Sequence, residues 1–226
     1  MPLLGNAVML LFFNIVEDVI PDHDDWHTHE HLPERLSIPG FLRGTRWVAS
    51  VGKPRYFVMY EVAQVATLQS EGYLERLNNP SPWTTRLMPS YRGMTRGLCS
   101  VSGSFGLGIG QTGLLIRFKP EDRRESSLRA WLLNDTLPRL PPRDGLGSAH
   151  LFEGALAPPM TKEQRIRGAD AGVDWVLFVT GYNEGALARL ADGDLSRAQI
   201  EEHGGSAVSD ATYRMHYMLT DREVSA

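Results

Sequence analysis

One cysteine, Cys99, stands in 226 residues, which excludes an internal disulfide and any thiolate cluster on a metal. Long apolar runs are scarce too. The run AVMLLFFNIV (7–16) has ten residues and contains Asn14, too short to span a bilayer. No basic segment or cleavage motif surrounds it, so a cytoplasmic protein without a membrane partner is the expectation. Positive charge is not in excess: 23 Lys and Arg against 27 Asp and Glu give a net charge of −4. A basic stripe with interleaved aromatics is lacking, which argues against nucleic acid as a partner. Gly-x-Ser-x-Gly, Walker and Cys-His arrangements are also missing. What is present is 42% apolar residues with 9% aromatics, enough for a core and against a disordered or fibrous chain.

The chain is written twice. WHTHEHLPERLSIPGFLRG (26–44) has a faint copy in WLLNDTLPRLPPRDGLGSA (131–149). Matching Leu32-Pro33 to Leu137-Pro138 sets an offset of 137 − 32 = 105, and the same offset pairs Trp26 with Trp131, Glu30 with Asp135 and Gly40 with Gly145. Element order agrees. In the first half a strand at 7–16, a helix over 24–36, strands at 41–50 and 55–62, a helix over 66–78 and a strand at 97–103 are expected from periodicity and turn signals. The second half repeats that order from 112 to 219, with an insertion at 157–172 that reads as an exposed loop. Each half is therefore β-α-β-β-α-β, the ferredoxin-like pattern, in an α+β chain divided at 1–104 and 105–226. Each antiparallel sheet leaves one apolar face uncovered, and two such sheets bury those faces as one tandem α/β barrel.

At the junction, Gly108, Gly110 and Gly113 spell G-x-G-x-x-G. That motif binds a dinucleotide only between a strand and a helix N-terminus, and here the strand-like LLIRF follows. A linker is the reading.

The stretch DHDDWHTHEH (22–31) concentrates four histidines and four carboxylates. On a helix His23, His27 and His31 share a face at spacing four, with His29 turned away. His27 and His31 could hold one divalent metal, but HTHEH is not a zincin pattern and lacks a third ligand. Asp22 to Asp25 read as the acidic start of the helix. Pro33 removes a backbone donor and crowds the carbonyl of His29, so a kink beside His31 is expected, opening space next to the sheet. An imidazole there suits general acid/base chemistry; the alternative is a structural histidine. At the 105-residue offset His27, His29 and His31 become Leu132, Asn134 and Thr136. The second half keeps the tryptophan and the Leu-Pro step and loses the imidazoles, as expected of a chemical role rather than a fold-building one. Arg43 and Arg46 are candidates to steady an anion. Asn14, Trp26, Trp47, Tyr60 and Trp83 are candidates to line a substrate pocket.

The run WHTHEHLPERLSIPGFLRGTRW (26–47) resembles the EthD-like branch of the dimeric α/β-barrel superfamily. There a helix with a histidine-proline step is followed by Pro-Gly and a strand carrying arginine and aromatic residues, and His31 is the matching histidine. The resemblance implies an enzyme acting without a cofactor on a small aromatic or polyketide-like carbonyl compound, as a cyclase, isomerase, decarboxylase or monooxygenase. Binding of haem or a metal through His27 and His31, or a non-catalytic ligand-binding barrel, is the alternative. Fusion supplies the family's usual dimer contact, while a free outer sheet edge would still pair two barrels into a homodimer.

Overall fold

Apart from Asn14, the stretch AVMLLFFNI is apolar at odd and even positions alike, the pattern of a strand covered on both faces. It forms β1 (Ala7–Ile15). The computed structural model describes residues 2–156, 161–167 and 171–224. Within them seven more strands follow: β2 (Phe41–Val51), β3 (Tyr56–Val62), β4 (Tyr91–Gly106), β5 (Thr112–Pro120), β6 (Leu146–Leu156), β7 (Trp175–Gly181) and β8 (Gly205–Thr220). Paired antiparallel in the order β1-β3-β2-β8-β5-β7-β6-β4, they close into a barrel. Helices cover its outside. The first half carries α1 (Ile20–Trp26), a π-helical turn (His27–His31), α2 (Leu32–Leu36), α3 (Glu71–Asn78) and α4 (Pro82–Leu87). The second carries α5 (Glu125–Ala130), a second π-helical turn (Trp131–Thr136), α6 (Lys162–Arg167), α7 (Glu184–Asp192), α8 (Arg197–Glu202) and α9 (Asp221–Val224). No helix among the described residues is long and apolar enough to cross a membrane.

Strand bounds repeat with the offset seen in the sequence: β5 begins 112 − 7 = 105 residues after β1, and β6 begins 146 − 41 = 105 after β2. Side-chain alternation then sorts three cores. Met9, Leu11 and Phe13 of β1 face the first-half helices, and Leu114, Ile116 and Phe118 of β5 face those of the second. Val8, Leu10 and Phe12 meet Leu115, Phe152 and Phe178 inside the ring.

Several expectations change. The last strands are longer than predicted, because β4 pairs with β1 through Ser100 and with β6 from Leu98 onward. Strand β8 bridges β5 and β2 in the same way. The ring is closed, so pairing of barrels through a free sheet edge is not available. The expected helix over 66–78 divides into a 3₁₀ turn (Val65–Gln69) and α3, because the Ser70 side chain caps a new start. Helix α4 was not expected. Asn78-Asn79-Pro80 does stop α3, but Ser81 then caps a new helix with Pro82 in its first turn. At the glycine-rich junction β5, not a helix, follows, but the linker is shorter than read: β4 runs to Gly106 and Gly113 already lies in β5.

Asp22 does lie in the first turn of the helix, but Asp24 and Asp25 do not start it. It begins at Ile20 with Pro21 in the first turn, and the acidic residues lie within it. Pro33 does not break it either. The π turn, in which Leu32 N–H reaches back five residues to the His27 carbonyl, widens the helix just before the proline and lets it run on to Leu36. The second half does the same ahead of Leu137-Pro138. The insertion is not simply a loop; residues 157–160 and 168–170 lie outside the description, but 162–167 form α6 and Glu163 is buried.

Candidate active site

Four side chains spaced four apart, His23, His27, His31 and Arg35, lie buried along one face of the first-half helix. The π turn keeps them in line. His29 is exposed and bonds through Nδ1 to the Asp25 carbonyl. Beneath the stripe lies the outer face of β1, β3 and β2. Leu32 rests on Gly44 of β2, where a Cβ would meet its Cδ2 at 2.4 Å, so only glycine admits this close approach.

The imidazoles form a run of ring contacts. His23 and His27 are 5.7 Å apart between centroids, His27 and His31 5.6 Å, and Trp26 lies against His31 at 4.3 Å and 30°. Trp26 is held in turn through Nε1, which donates to Glu30 Oε1 and Thr84 Oγ1. Burial first, then the charges of His23, Arg46 and Arg35, hold His27 well below the ordinary imidazole range, so it is neutral. His23 is also lowered by burial, against a hydrogen bond to Asp24. Asp24 joins four elements, meeting His23 Nδ1 at 3.2 Å, Tyr56 Oη at 2.9 Å, Arg46 Nε at 3.6 Å and His216 Nδ1 at 3.8 Å. Burial pushes Tyr56 up to about 12.

Deeper along the helix, Arg35 Nη2 meets Glu163 Oε1 of α6 at 2.6 Å, and its Nη1 meets Glu34 Oε2 at 3.0 Å. Burial alone would lower Arg35; Glu163, Tyr73 and Glu34 overcome it and hold the guanidinium charged. The same Glu34 oxygen lies 4.0 Å from His31 Nδ1. Tyr60 is buried on this side of the sheet, and its hydroxyl and His27 Nδ1 have no hydrogen-bond partner among the described residues. Burial pushes the Tyr60 phenol far up. An element of the second half thus closes over the helix of the first. Glu163→Ala, which strands a buried guanidinium, is expected to cost about 3 kcal/mol in urea unfolding. Replacing Arg35 and Glu163 together by methionine should recover most of that loss. Equal loss in both variants would show that α6 does not hold through this pair.

The other candidates separate by face. Arg46 is on the helix side, donating from Nη1 to the Asp24 carbonyl. Arg43 and Trp47 point into the ring, away from His31: Arg43 is bound to Glu61 at 2.7 Å and Trp47 packs on Phe178. The β-bulge after Phe41 sets this parity, and it corrects the placement of both beside the histidines. Asn14 accepts from Arg55 N–H at the β2–β3 hairpin. Trp83 lies at the rim, donating to Asp22. Among the described residues no group of three carboxylates, thiols or imidazoles is arranged for a metal. Arg35 and Glu163 were missed by the sequence reading. Arg35 continues the four-residue spacing of the histidines and could have been found; Glu163 had no such signal. In the second half Trp131 is not bare: His203 from the end of α8 stacks on it at 3.9 Å and 10°.

No protein-family model matches the sequence, and no curated protein matches it as a relative. Solved structures do match over nearly the whole length. An anthrone oxidase-like protein superposes with a TM-score of 0.67 at 12% identity, over 95% of this chain and 92% of its own. A putative monooxygenase from Fusobacterium nucleatum gives 0.61 at 8%, over 96% of each chain. A chlorite dismutase variant from Candidatus Nitrospira defluvii gives 0.56 at 12%, over 97% and 93%. Chlorite dismutases bind haem, which corrects the expectation of a protein without a cofactor: this fold does not carry that exclusion. Of the two imidazoles expected to hold it, His27 does not fit a haem. An axial ligand needs a nitrogen facing open space. His27 instead sits fully buried among the rings of Trp26, His23 and His31. The second-half helix places Leu132, Asn134 and Thr136 at the corresponding positions. Identities this low speak for the fold: the chain is a dimeric α/β barrel whose two halves are supplied by one polypeptide.

Proposed function

We propose that this chain is a small-molecule enzyme in which His31 acts as general acid/base on an aromatic or enolisable carbonyl compound. The observation that carries it is the buried stripe His27, His31 and Arg35, facing Tyr60 and closed by α6 of the other half. Such a concentration of buried polar groups is costly for stability alone. The first repeat (1–104) holds the site, and the second (105–226) supplies the matching sheet and the covering helix.

Glu34 Oε2 stands 4.0 Å from His31 Nδ1, close enough to help orient the ring. Trp26 fixes the ring plane. Neutral His27 and the Tyr60 hydroxyl are the polar groups for a substrate oxygen, with Arg46 the nearer of the two candidate strand arginines. Proton loss gives an enolate or phenolate, and the guanidinium charges in this layer favour that anion.

Anthrone oxidase-like and monooxygenase neighbours supply the compound to try first. Supplied with an anthrone in air, the purified chain should form the anthraquinone faster than the spontaneous reaction, with one O₂ consumed and one water released. Formation at the spontaneous rate, across anthrones of varied hydroxylation, would count against this reading.

A further inference from the structure

We propose that one mouth of the barrel binds a small oxyanion, a carboxylate or phosphate group, on Arg117. The proposal is independent of the chemistry at His31.

The apolar interior of the ring ends in an arginine on each side. At one end Arg43 is matched by Glu61, a buried carboxylate 2.7 Å away that also accepts from Leu4 N–H. At the other end Arg117 makes no ion pair among the described residues, though Asp174 and Asp210 line the cavities beside it. Arg117 is the 105-residue counterpart of Phe12 (117 − 12 = 105), and the near-twofold axis brings the two together, with the guanidinium 4.8 Å from the Phe12 ring centre. That ring stacks on Phe57 at 5.1 Å, so one face of Arg117 is apolar. Among the described residues Arg117 makes this ring contact and no hydrogen bond or ion pair, although it is half-buried. A partly desolvated guanidinium is an unfinished pair, and its planar fork of donors suits a carboxylate or phosphate.

A cavity of about 140 Å³ opens beside it, lined among others by Thr95, Lys119, Asp174, Ala207 and Ser209. At roughly 30 Å³ per water this admits a small oxyanion with its first waters. The backbone is shaped for the opening. The β5–β8 register slips between Arg117, opposite Ser209, and Lys119, opposite Ser206, and in the bulge Ala207 takes a φ of 50°. A non-glycine residue held there is strained, and bulges of this kind collect beside sites. Lys119 adds a second positive charge, and Asp174 opposes it from the wall.

The test uses the whole chain, with sodium phosphate and sodium acetate titrated separately at ionic strength held constant with chloride. The expected result is a saturable rise in Tm of several degrees with one of them, together with a saturable shift of the Arg117 Nε resonance. Which anion saturates identifies the group. Arg117→Gln should abolish the Tm response while leaving the anion-free Tm unchanged or higher, since it removes an unmatched charge. Asp174→Asn should tighten binding roughly threefold. A response that does not saturate with either anion, or that is the same in Arg117→Gln, overturns the proposal.

Discussion

Lowering the pH from 7 to 5 is expected to cost the fold about 2 kcal/mol or more. Three imidazoles, His23, His27 and His150, are fully or almost fully shielded from water. Burial above all pushes each below the ordinary 6.5: His27 well below, His150 to about 3. The unfolded chain titrates the same groups near 6.5, so below that pH it binds protons that the native state refuses. Stability therefore falls as the pH drops from about 6.5 toward the folded values. At about 1.4 kcal/mol per unit, His150, held to about 3, contributes a loss of about 2 kcal/mol by pH 5, and His27 adds to it in the same direction. His23 contributes less, because its bond to Asp24 opposes burial. Glu34 and Glu61, raised by burial, act in the opposite sense as they take up protons, and offset part of the loss toward acid. Urea unfolding at the two pH values measures the difference. His27→Leu, which installs what the second half already has at Leu132, should flatten the slope by about one proton. An unchanged stability between pH 7 and pH 5 would mean that these rings accept protons in the folded state.

The second large effect is on turnover. If His31 moves the substrate proton, His31→Gln should lower kcat by about 10²–10⁴-fold, with kcat/KM falling in parallel and Tm within a few degrees. Glutamine keeps a hydrogen-bonding group against Trp26 but has no titrating nitrogen. His27→Gln should have a smaller effect on kcat, because a ring held neutral so far below pH 7 is a poor base. The readout that separates chemistry from structure is the comparison of the two. A His31→Gln variant that loses Tm and activity together, while His27→Gln loses activity alone, would move the acid/base role to His27.

The barrel was legible because its signals are local and repeated. The continuous apolar run AVMLLFFNI, the Gly52-Lys53-Pro54 turn between β2 and β3, and the paired Trp and Leu-Pro positions each report on a few neighbouring residues, and the second copy confirms the first. Within the site, the shared face of His23, His27 and His31 followed from spacing alone. What sequence could not supply was parity and reach. Arg43 and Arg46 are three apart on one strand, and a single bulge decides which of them looks at the helix. Arg35 is matched by a carboxylate 128 residues away, in an insertion with no periodicity of its own. The π turn was also hidden. Proline announces a disturbance, but whether the helix breaks or widens depends on how both sides are packed.

A barrel assembled from two identical chains carries every substitution twice, once in each half. Here β4 and β8 tie two unlike halves into one ring, so a substitution occurs once. The interior can therefore hold Phe12 on one side of the axis and Arg117 on the other, and the outer layer can hold His31 where its counterpart is Thr136. In a two-chain barrel either choice would have been imposed on both sides. Loss of symmetry is what leaves each end of the ring, and each helical face, able to take a different task.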